Sequence, residues 1–172
     1  MGTTTATLIP VEEYLNGSAD PGMEKEYVDG VLVERNLDDW VHGLVQSNII
    51  FELRRKYPEL KVLAPIRTRV SERRYYMPDV VALLTLPPIR EDVLYDAPFL
   101  VIEILSHGDN MERVMDKFVD YESKGVPNIW YIVPRRQKMY VFQSGDLIEV
   151  KGKVIATGEP RFELTRDEIF QT

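Results

Sequence analysis

Cysteine is absent from this chain of 172 residues, and histidine occurs only at His42 and His107. Without thiolates, neither a disulfide framework nor a thiolate zinc site can form. Any metal site must therefore be built from oxygen ligands, alone or with one of the histidines. That donor set suits hard cations, with Mg²⁺ the first expectation and Mn²⁺ the alternative.

Long hydrophobic runs are also missing. No uninterrupted apolar segment is long enough to cross a bilayer, and the amino terminus has no basic region followed by an apolar one. These absences predict a cytoplasmic protein with no membrane partner. The net charge of −7 argues against general attraction to nucleic acid, but it is compatible with a local basic surface or with phosphate contacts bridged by metal.

The composition is that of an ordinary globular protein, with 44% hydrophobic and 28% charged residues, and the length suits one core. No repeat, low-complexity tract or linker divides the chain, so we expect a single domain over residues 1–172. Turn and cap signals predict a short helix at 11–15, a turn at 20–22 and a hairpin of strands 26–28 and 31–34 joined by Asp29-Gly30.

Two longer helices are expected. Asp38 or Asp39 caps the first, and the second covers residues 111–124. Strands are predicted at 61–64, 66–70, 78–84 and 99–106, and a meander at 128–133, 138–143 and 147–151. The fold class is therefore α/β (α+β), a mixed central sheet flanked by helices, with an amino-terminal helix and hairpin. The apolar stripe expected on the first long helix consists of Val41, Leu44, Val45, Ile49 and Leu53.

Two apolar strand-like runs each carry one acidic residue, Asp79 in residues 77–81 and Glu103 in residues 99–106. A strand buried on both faces should tolerate no charge, and two neighbouring buried carboxylates repel unless a cation or a shared proton compensates. The 24 residues between them allow a strand, a loop and a return strand. The pattern thus favours two carboxylates at one sheet edge and makes metal binding the first hypothesis.

Lys117 lies at the border of the apolar face of the second long helix. Its ammonium can point towards the carboxylates, where it would hold a water or stabilise an oxyanion. Alternatively, the side chain merely snorkels to solvent from a packed helix. If Lys117 acts in the site, we expect Lys117→Ala to lose activity with little loss of fold, because the apolar stripe of the helix is unchanged.

The ordered motifs Pro78-Asp79, residues 103–106, Lys117 with Asp120-Tyr121, and residues 125–133 together resemble the Uma-two (Uma2) family of endonucleases within the PD-(D/E)xK nuclease superfamily. Residues 26–34 and His42 are similar to the family's amino-terminal pattern. The resemblance implies a restriction-endonuclease-like core and a magnesium-dependent endonuclease acting on DNA. It implies Asp79 and Glu103 as metal ligands, and Lys117 and Glu26 as further catalytic residues.

The chain departs from the family pattern in several places. The superfamily lysine normally lies two residues after the glutamate, where this chain has Leu105, so the resemblance implies that Lys117 replaces it. The family commonly has a proline after the serine and an acidic residue four before the lysine, where His107 and Arg113 stand here. Its usual aspartate before Pro134 is replaced by Val133.

Four further residues are candidates for supporting the site or binding substrate. His42 is expected either on the surface or as a hydrogen-bonding neighbour of the site. Ser106 is expected as a helix-entry residue or a similar neighbour, since no third member of a hydrolase triad is indicated. Arg67 and Arg69 either follow a phosphate backbone or belong to a solvated face.

The leading hypothesis is a DNA endonuclease that acts as a homodimer, since cutting both strands needs two sites. A second hypothesis is a nuclease-like fold that binds DNA or protein without turnover, and a third is a structural domain whose carboxylates lie far apart. If the metal hypothesis holds, the empty carboxylate cluster is strained, and Asp79→Asn should preserve or raise stability in chelator.

Overall fold

The computed structural model describes residues 8–17, 25–36, 39–88 and 92–172. The turn expected at 20–22 and the capping role considered for Asp38 lie outside these residues. The helices are α1 (Val11–Leu15), α2 (Trp40–Lys56), α3 (Met111–Lys124) and α4 (Arg166–Phe170). The strands are β1 (Lys25–Val28), β2 (Val31–Glu34), β3 (Lys61–Leu63), β4 (Arg67–Ser71), β5 (Arg74–Tyr76), β6 (Val80–Leu83), β7 (Val93–Leu94), β8 (Leu100–Ile104), β9 (Asn128–Val133), β10 (Lys138–Gln143), β11 (Asp146–Glu149), β12 (Val154–Ala156) and β13 (Glu163–Thr165).

The central sheet is mixed, as the sequence predicts, and has the order β11-β10-β9-β8-β6-β3. Strands β8 and β9 are parallel, whereas β6 pairs with β8 antiparallel. Every residue of β6 and β8 is buried, which explains why both read as continuous apolar runs. The predicted meander is confirmed as β9, β10 and β11.

A second sheet has the order β2-β1-β5-β4-β7 and starts with the predicted hairpin. Asp29 and Gly30 have φ angles of 51° and 95°, the left-handed conformation that a two-residue hairpin turn requires. Strands β5, β7, β12 and β13 and helix α4, which have two to five residues each, were not predicted. Strands β12 and β13 form a separate two-stranded sheet.

Helix α2 begins at the predicted cap, where the Asp39 side chain accepts a hydrogen bond from the His42 backbone N–H. The predicted apolar stripe of α2 is partly wrong: Val41 and Leu44 are only half-buried, while His42 and Glu52 are buried. No helix in the described part of the chain is both long and apolar enough to span a membrane.

Helix α3 is capped by Asn110 and ends at Gly125, which has a φ of 96°. Ser106 is therefore not the helix-entry residue but lies four residues before the cap. The two long helices cover opposite faces of the central sheet. Ile49 and Leu53 of α2 pack with Ile102 and Trp130 on one face, and α3 packs on the other face through Phe118 and Tyr121, which contact Val101, Ile129 and Tyr131.

Candidate active site

Five carboxylates and three cationic side chains line one pocket of about 140 Å³ between the two larger sheets and the amino-terminal half of α3. Three of the carboxylates are buried and belong to Glu26 on β1, Asp79 just before β6, and Glu103 on β8, and the other two belong to Glu34 and Asp109. The cations are Arg35, Arg113 and Lys117. The four residues expected to be catalytic, Asp79, Glu103, Lys117 and Glu26, thus line one pocket. The hypothesis of a structural domain required Asp79 and Glu103 to lie far apart, and they do not.

Asp79 is held from three sides and is only 2% exposed. Its Oδ2 accepts a 2.7 Å hydrogen bond from the backbone N–H of Ile104, and its Oδ1 accepts one of the same length from Arg35. The Nε2 atom of His42 lies 3.3 Å from Oδ2. Gln46 donates to the Asp79 carbonyl over 2.8 Å, so α2 positions both the backbone and the side chain of this residue.

Lys117 is buried, and its ammonium bridges two carboxylates. Nζ lies 2.8 Å from Oε1 of Glu26 and 2.8 Å from Oε1 of Glu103. Tyr121, one turn later on α3, donates a 2.6 Å hydrogen bond to the same Glu103 oxygen. The snorkelling alternative for Lys117 is therefore wrong, because α3 directs the side chain into the pocket between β1 and β8.

Glu26 is almost completely buried, at 1% exposure, and both of its oxygens have partners. Oε1 accepts hydrogen bonds from Lys117 and from the backbone N–H of Met77, and Oε2 accepts a 2.8 Å bond from Arg113. Arg113 stands where the family commonly has an acidic residue. In this chain that departure adds a cation to the pocket.

The two glutamates that share Lys117 have opposite shifts in pKa. Burial raises the pKa of Glu103 to about 7, and the charges of Asp79 and Glu26 add to the rise, although Lys117 opposes it. Burial also acts to raise the pKa of Glu26, but the charge and hydrogen bond of Lys117, the Met77 N–H and Arg113 together hold it below its usual value. Despite its burial, Lys117 has a raised pKa because both carboxylates favour its charged form.

These shifts predict how stability depends on pH in chelator. Between the ordinary Glu103 pKa of 4.5 and its folded value of about 7, the folded protein holds more protons than the unfolded chain, so Glu103 lowers stability as pH rises. Glu26 acts in the other direction at lower pH, because its stabilising effect is lost as pH falls through its depressed pKa. Glu103→Gln should remove the decrease of stability between pH 4.5 and about pH 7, and it should keep the decrease at lower pH that Glu26 causes. The test is the melting temperature of the parent and of Glu103→Gln, measured from about pH 3 to about pH 8. If melting temperature depended on pH in the same way in both proteins, Glu103 would not be the group that lowers stability as pH rises.

The donor set of the pocket fits a hard cation. Asp79 and Glu103 both present carboxylate oxygens to it, and both bonds made by Lys117 and Tyr121 fall on Oε1 of Glu103, leaving Oε2 available to a ligand. Arg35 and the Ile104 N–H each bind one Asp79 oxygen, so a cation at Asp79 would compete with Arg35 or share Oδ1 with it. Among the described residues, no group of three or more histidine, aspartate or glutamate side chains is already arranged around a metal position.

Of the four residues predicted to support the site or bind substrate, two lie at the pocket and two do not. His42 is buried beside Asp79, so the surface alternative for it is wrong, and Ser106 lines the pocket. Arg67 and Arg69 lie on the face of the second sheet that points away from the pocket. Their guanidinium groups lie 4.4 Å and 5.9 Å from the ring centres of Tyr14 and Tyr95, respectively.

The alternation of β4 explains this placement. Thr68 and Val70 are buried, and Val70 packs with Tyr76 and Phe118 on the α3 side of the sheet, so the intervening arginines must point to the opposite side. As ligands of a substrate bound in this pocket, Arg67 and Arg69 are therefore misplaced. Arg35 and Gln46 were not predicted from the sequence, and Tyr121 was named only as part of the family motif. Only Tyr121 had a usable signal, since it follows Lys117 by four residues on the same helical face.

Comparison with known proteins agrees with this architecture. The crystal structure of a protein described as a "putative nuclease belonging to DUF820" from Anabaena variabilis ATCC 29413 superposes with a TM-score of 0.79. The two sequences are 18% identical, and the match covers 94% of this chain and 97% of the other. No curated protein matches the sequence. The model of the Uma2 family, described as "putative restriction endonuclease", matches residues 11–169, and the chain therefore belongs to that family.

Proposed function

We propose that this protein is a metal-dependent endonuclease that hydrolyses the phosphodiester bonds of DNA. The observation that carries the proposal is the buried ammonium of Lys117 between Glu26 and Glu103, in the pocket that also contains Asp79. Membership of the Uma2 family and the fold shared with a protein described as a nuclease support the same reaction class.

Mg²⁺, or Mn²⁺ in its place, would be held by Asp79 and Glu103. A phosphodiester is an anion that resists attack by another anion, and a bound divalent cation supplies both neutralisation of the phosphate and a more acidic water. Glu26 is the less suitable ligand, because it accepts three hydrogen bonds and two of them come from the cations Lys117 and Arg113, whereas Asp79 has one cationic donor, Arg35.

The protein's own residues would provide the remaining electrostatics. Lys117 places a fixed positive charge beside Glu103, where it can stabilise negative charge that develops on the phosphate oxygens. Glu26 would act by positioning Lys117, and Tyr121 by fixing the orientation of Glu103. His42 and Gln46 would position Asp79 from α2.

A second candidate is a nuclease-like fold that binds DNA or protein without turnover. Arg35 already pairs with Asp79, and Arg113 already pairs with Glu26, so both carboxylates are neutralised without metal. In a protein that had lost metal binding, such ion pairs would stabilise the buried carboxylates in place of the cation. The two candidates differ in whether a divalent cation can compete with Arg35 for Asp79.

The direct test is cleavage of single-stranded, double-stranded and branched DNA, each in Mg²⁺, in Mn²⁺ and in chelator. We expect cleavage only with a divalent cation and expect it to be lost in Glu103→Gln, which removes one ligand charge at nearly constant volume. Glu149→Gln is a matched control, because Glu149 lies on β11 outside the pocket and pairs with Lys138.

Cleavage by Glu103→Gln at the parental rate would reject the assigned metal ligand. DNA binding without cleavage under every metal condition would instead favour the second candidate. The proposal includes DNA as the substrate, action as a homodimer and a cytoplasmic location.

A further inference from the structure

Helix α2 exposes an apolar stripe on the side opposite to the one that supports Asp79. Trp40 is 75% exposed and Phe51 is 60% exposed, two of the largest exposed apolar side chains among the described residues. Leu44, half-buried, and Ser47, exposed, lie between them on the same side. We call the residues Trp40, Leu44, Ser47 and Phe51 the α2 stripe.

The spacing of the α2 stripe is that of a helix-packing seam. Its residues are separated by four, three and four positions, the alternation that keeps one helix face against a partner helix. The inner face of α2 is already occupied, since Val45, Ile49 and Leu53 pack in the core. A helix that is apolar on two sides needs a partner on each, and the described chain covers only one of them.

We propose that a second copy of this chain packs on the α2 stripe, with the two α2 helices antiparallel. The stripe is self-complementary when reversed, because Trp40 of one copy then faces Phe51 of the other, and Leu44 faces Ser47. A two-fold symmetric interface requires this reciprocity. The aromatic residues stand at the two ends, and the small Ser47 in the middle lets the helix axes approach.

Charge complementarity favours the antiparallel arrangement. Helix α2 ends in the basic residues Arg54, Arg55 and Lys56, whereas the acidic Asp39 caps its beginning. Arg55 and Lys56 are engaged by Glu52 and Glu168, but Arg54 is exposed and has no carboxylate partner among the described residues. Reversal of the second helix brings Arg54 beside the beginning of the other, where Asp39 already pairs with Arg135 and would be shared between the two guanidinium groups.

The surface is independent of the proposed nuclease activity, since it needs no reaction in the pocket. A dimer formed through this surface would nevertheless contain two pockets, one in each copy. Each pocket would lie close to the interface, because His42 and Gln46 on the inner side of α2 contact Asp79. The known alternative for an exposed aromatic and basic stripe is stacking on nucleic acid. That occupant is a possible outcome of the test below.

The first experiment measures molecular mass by sedimentation over a concentration series, together with tryptophan emission. Trp130 is already buried, so Trp40 should report association by emitting at shorter wavelength as concentration rises. Phe51→Glu should weaken the dimer by about thirtyfold or more, the effect of losing an aromatic anchor at an interface. Val119→Glu is the control, because Val119 is 46% exposed on α3 and lies outside the stripe.

The second experiment tests helix direction and uses the natural lack of cysteine. Leu44→Cys and Ser47→Cys copies are prepared separately, mixed and oxidised, and the cross-linked peptides are identified by mass. We expect the mixed disulfide to dominate over either self-disulfide. A parent that stays monomeric at every concentration, equal dimerisation of parent and Phe51→Glu, predominant self-disulfides, or an effect of Phe51→Glu on DNA binding alone would overturn the proposal.

Discussion

Replacing Lys117 by methionine should lower the rate of DNA cleavage by about 10²-fold or more, the usual effect of losing a positioned charge at a reacting centre. It should also destabilise the fold by about 3–5 kcal/mol, the cost of removing one partner from a buried ion pair. This second effect corrects the expectation that the fold would hardly change. Lys117 lies between two buried carboxylates, and its removal leaves both without their shared cation.

The stability loss should depend on pH. Glu103 can bind a proton instead of a cation, so the loss should shrink as pH falls below the raised Glu103 pKa of about 7. Denaturant unfolding of the parent and of Lys117→Met at several pH values measures this. Lys124→Met on the same helix is the matched control and should change stability by less than about 1 kcal/mol.

A double-mutant cycle separates the interaction from the general effect of the substitution. Adding Glu26→Gln should destabilise the parent but should recover stability in Lys117→Met, because it removes one of the two carboxylate charges that Lys117 neutralised and leaves Arg113, which is partly exposed, without a buried partner. Additive free energies of unfolding in this cycle would mean that Lys117 and Glu26 do not interact. Full cleavage activity in a folded Lys117→Met protein would exclude Lys117 from the reaction.

Asp79→Asn should abolish the stabilisation that Mg²⁺ or Mn²⁺ gives to the parent. A cation that binds only the folded protein raises stability by mass action, and about 2.7 kcal/mol is expected at a concentration of 100 times its dissociation constant. The measurement is the melting temperature over a metal titration at fixed ionic strength. Equal metal-induced shifts in parent and variant would show that Asp79 is not a ligand.

In chelator the same substitution should lower stability by about 1–3 kcal/mol, in contrast to the preserved or raised stability expected from a strained carboxylate cluster. The two Asp79 oxygens accept from Arg35 and from the Ile104 N–H, and asparagine has only one side-chain oxygen to offer. One buried donor then loses its acceptor. Asp116→Asn, on the exposed side of α3, is the control and should be nearly neutral.

Local features of the fold were predictable wherever a short segment determines its own structure. The Asp29-Gly30 turn defined the β1–β2 hairpin, the Asp39 cap defined the beginning of α2, and Gly125 defined the end of α3. Each depends on backbone conformation or on a hydrogen bond within a few residues, so no distant contact can easily override it.

The candidate site was predictable as a set of residues but not as a network. Acidic residues in otherwise apolar strands are conspicuous because burial of a charge is costly, the helical face indicated Lys117, and the family motif added Glu26. The partners of these residues were not visible in the sequence. Arg35 reaches Asp79 across 44 residues and Arg113 reaches Glu26 across 87, and neither pair leaves a periodic signal.

By itself, the sequence determined the hard-cation donor set, the mixed sheet and the positions of the two buried carboxylates, since these follow from composition, periodicity and the cost of burying charge. Only the tertiary structure decided on which side of a sheet each side chain lies. Register and packing placed Lys117 between Glu26 and Glu103 and turned Arg67 and Arg69 away from the pocket. A strand alternates its faces with every residue, so which face meets a site is decided by what packs against it.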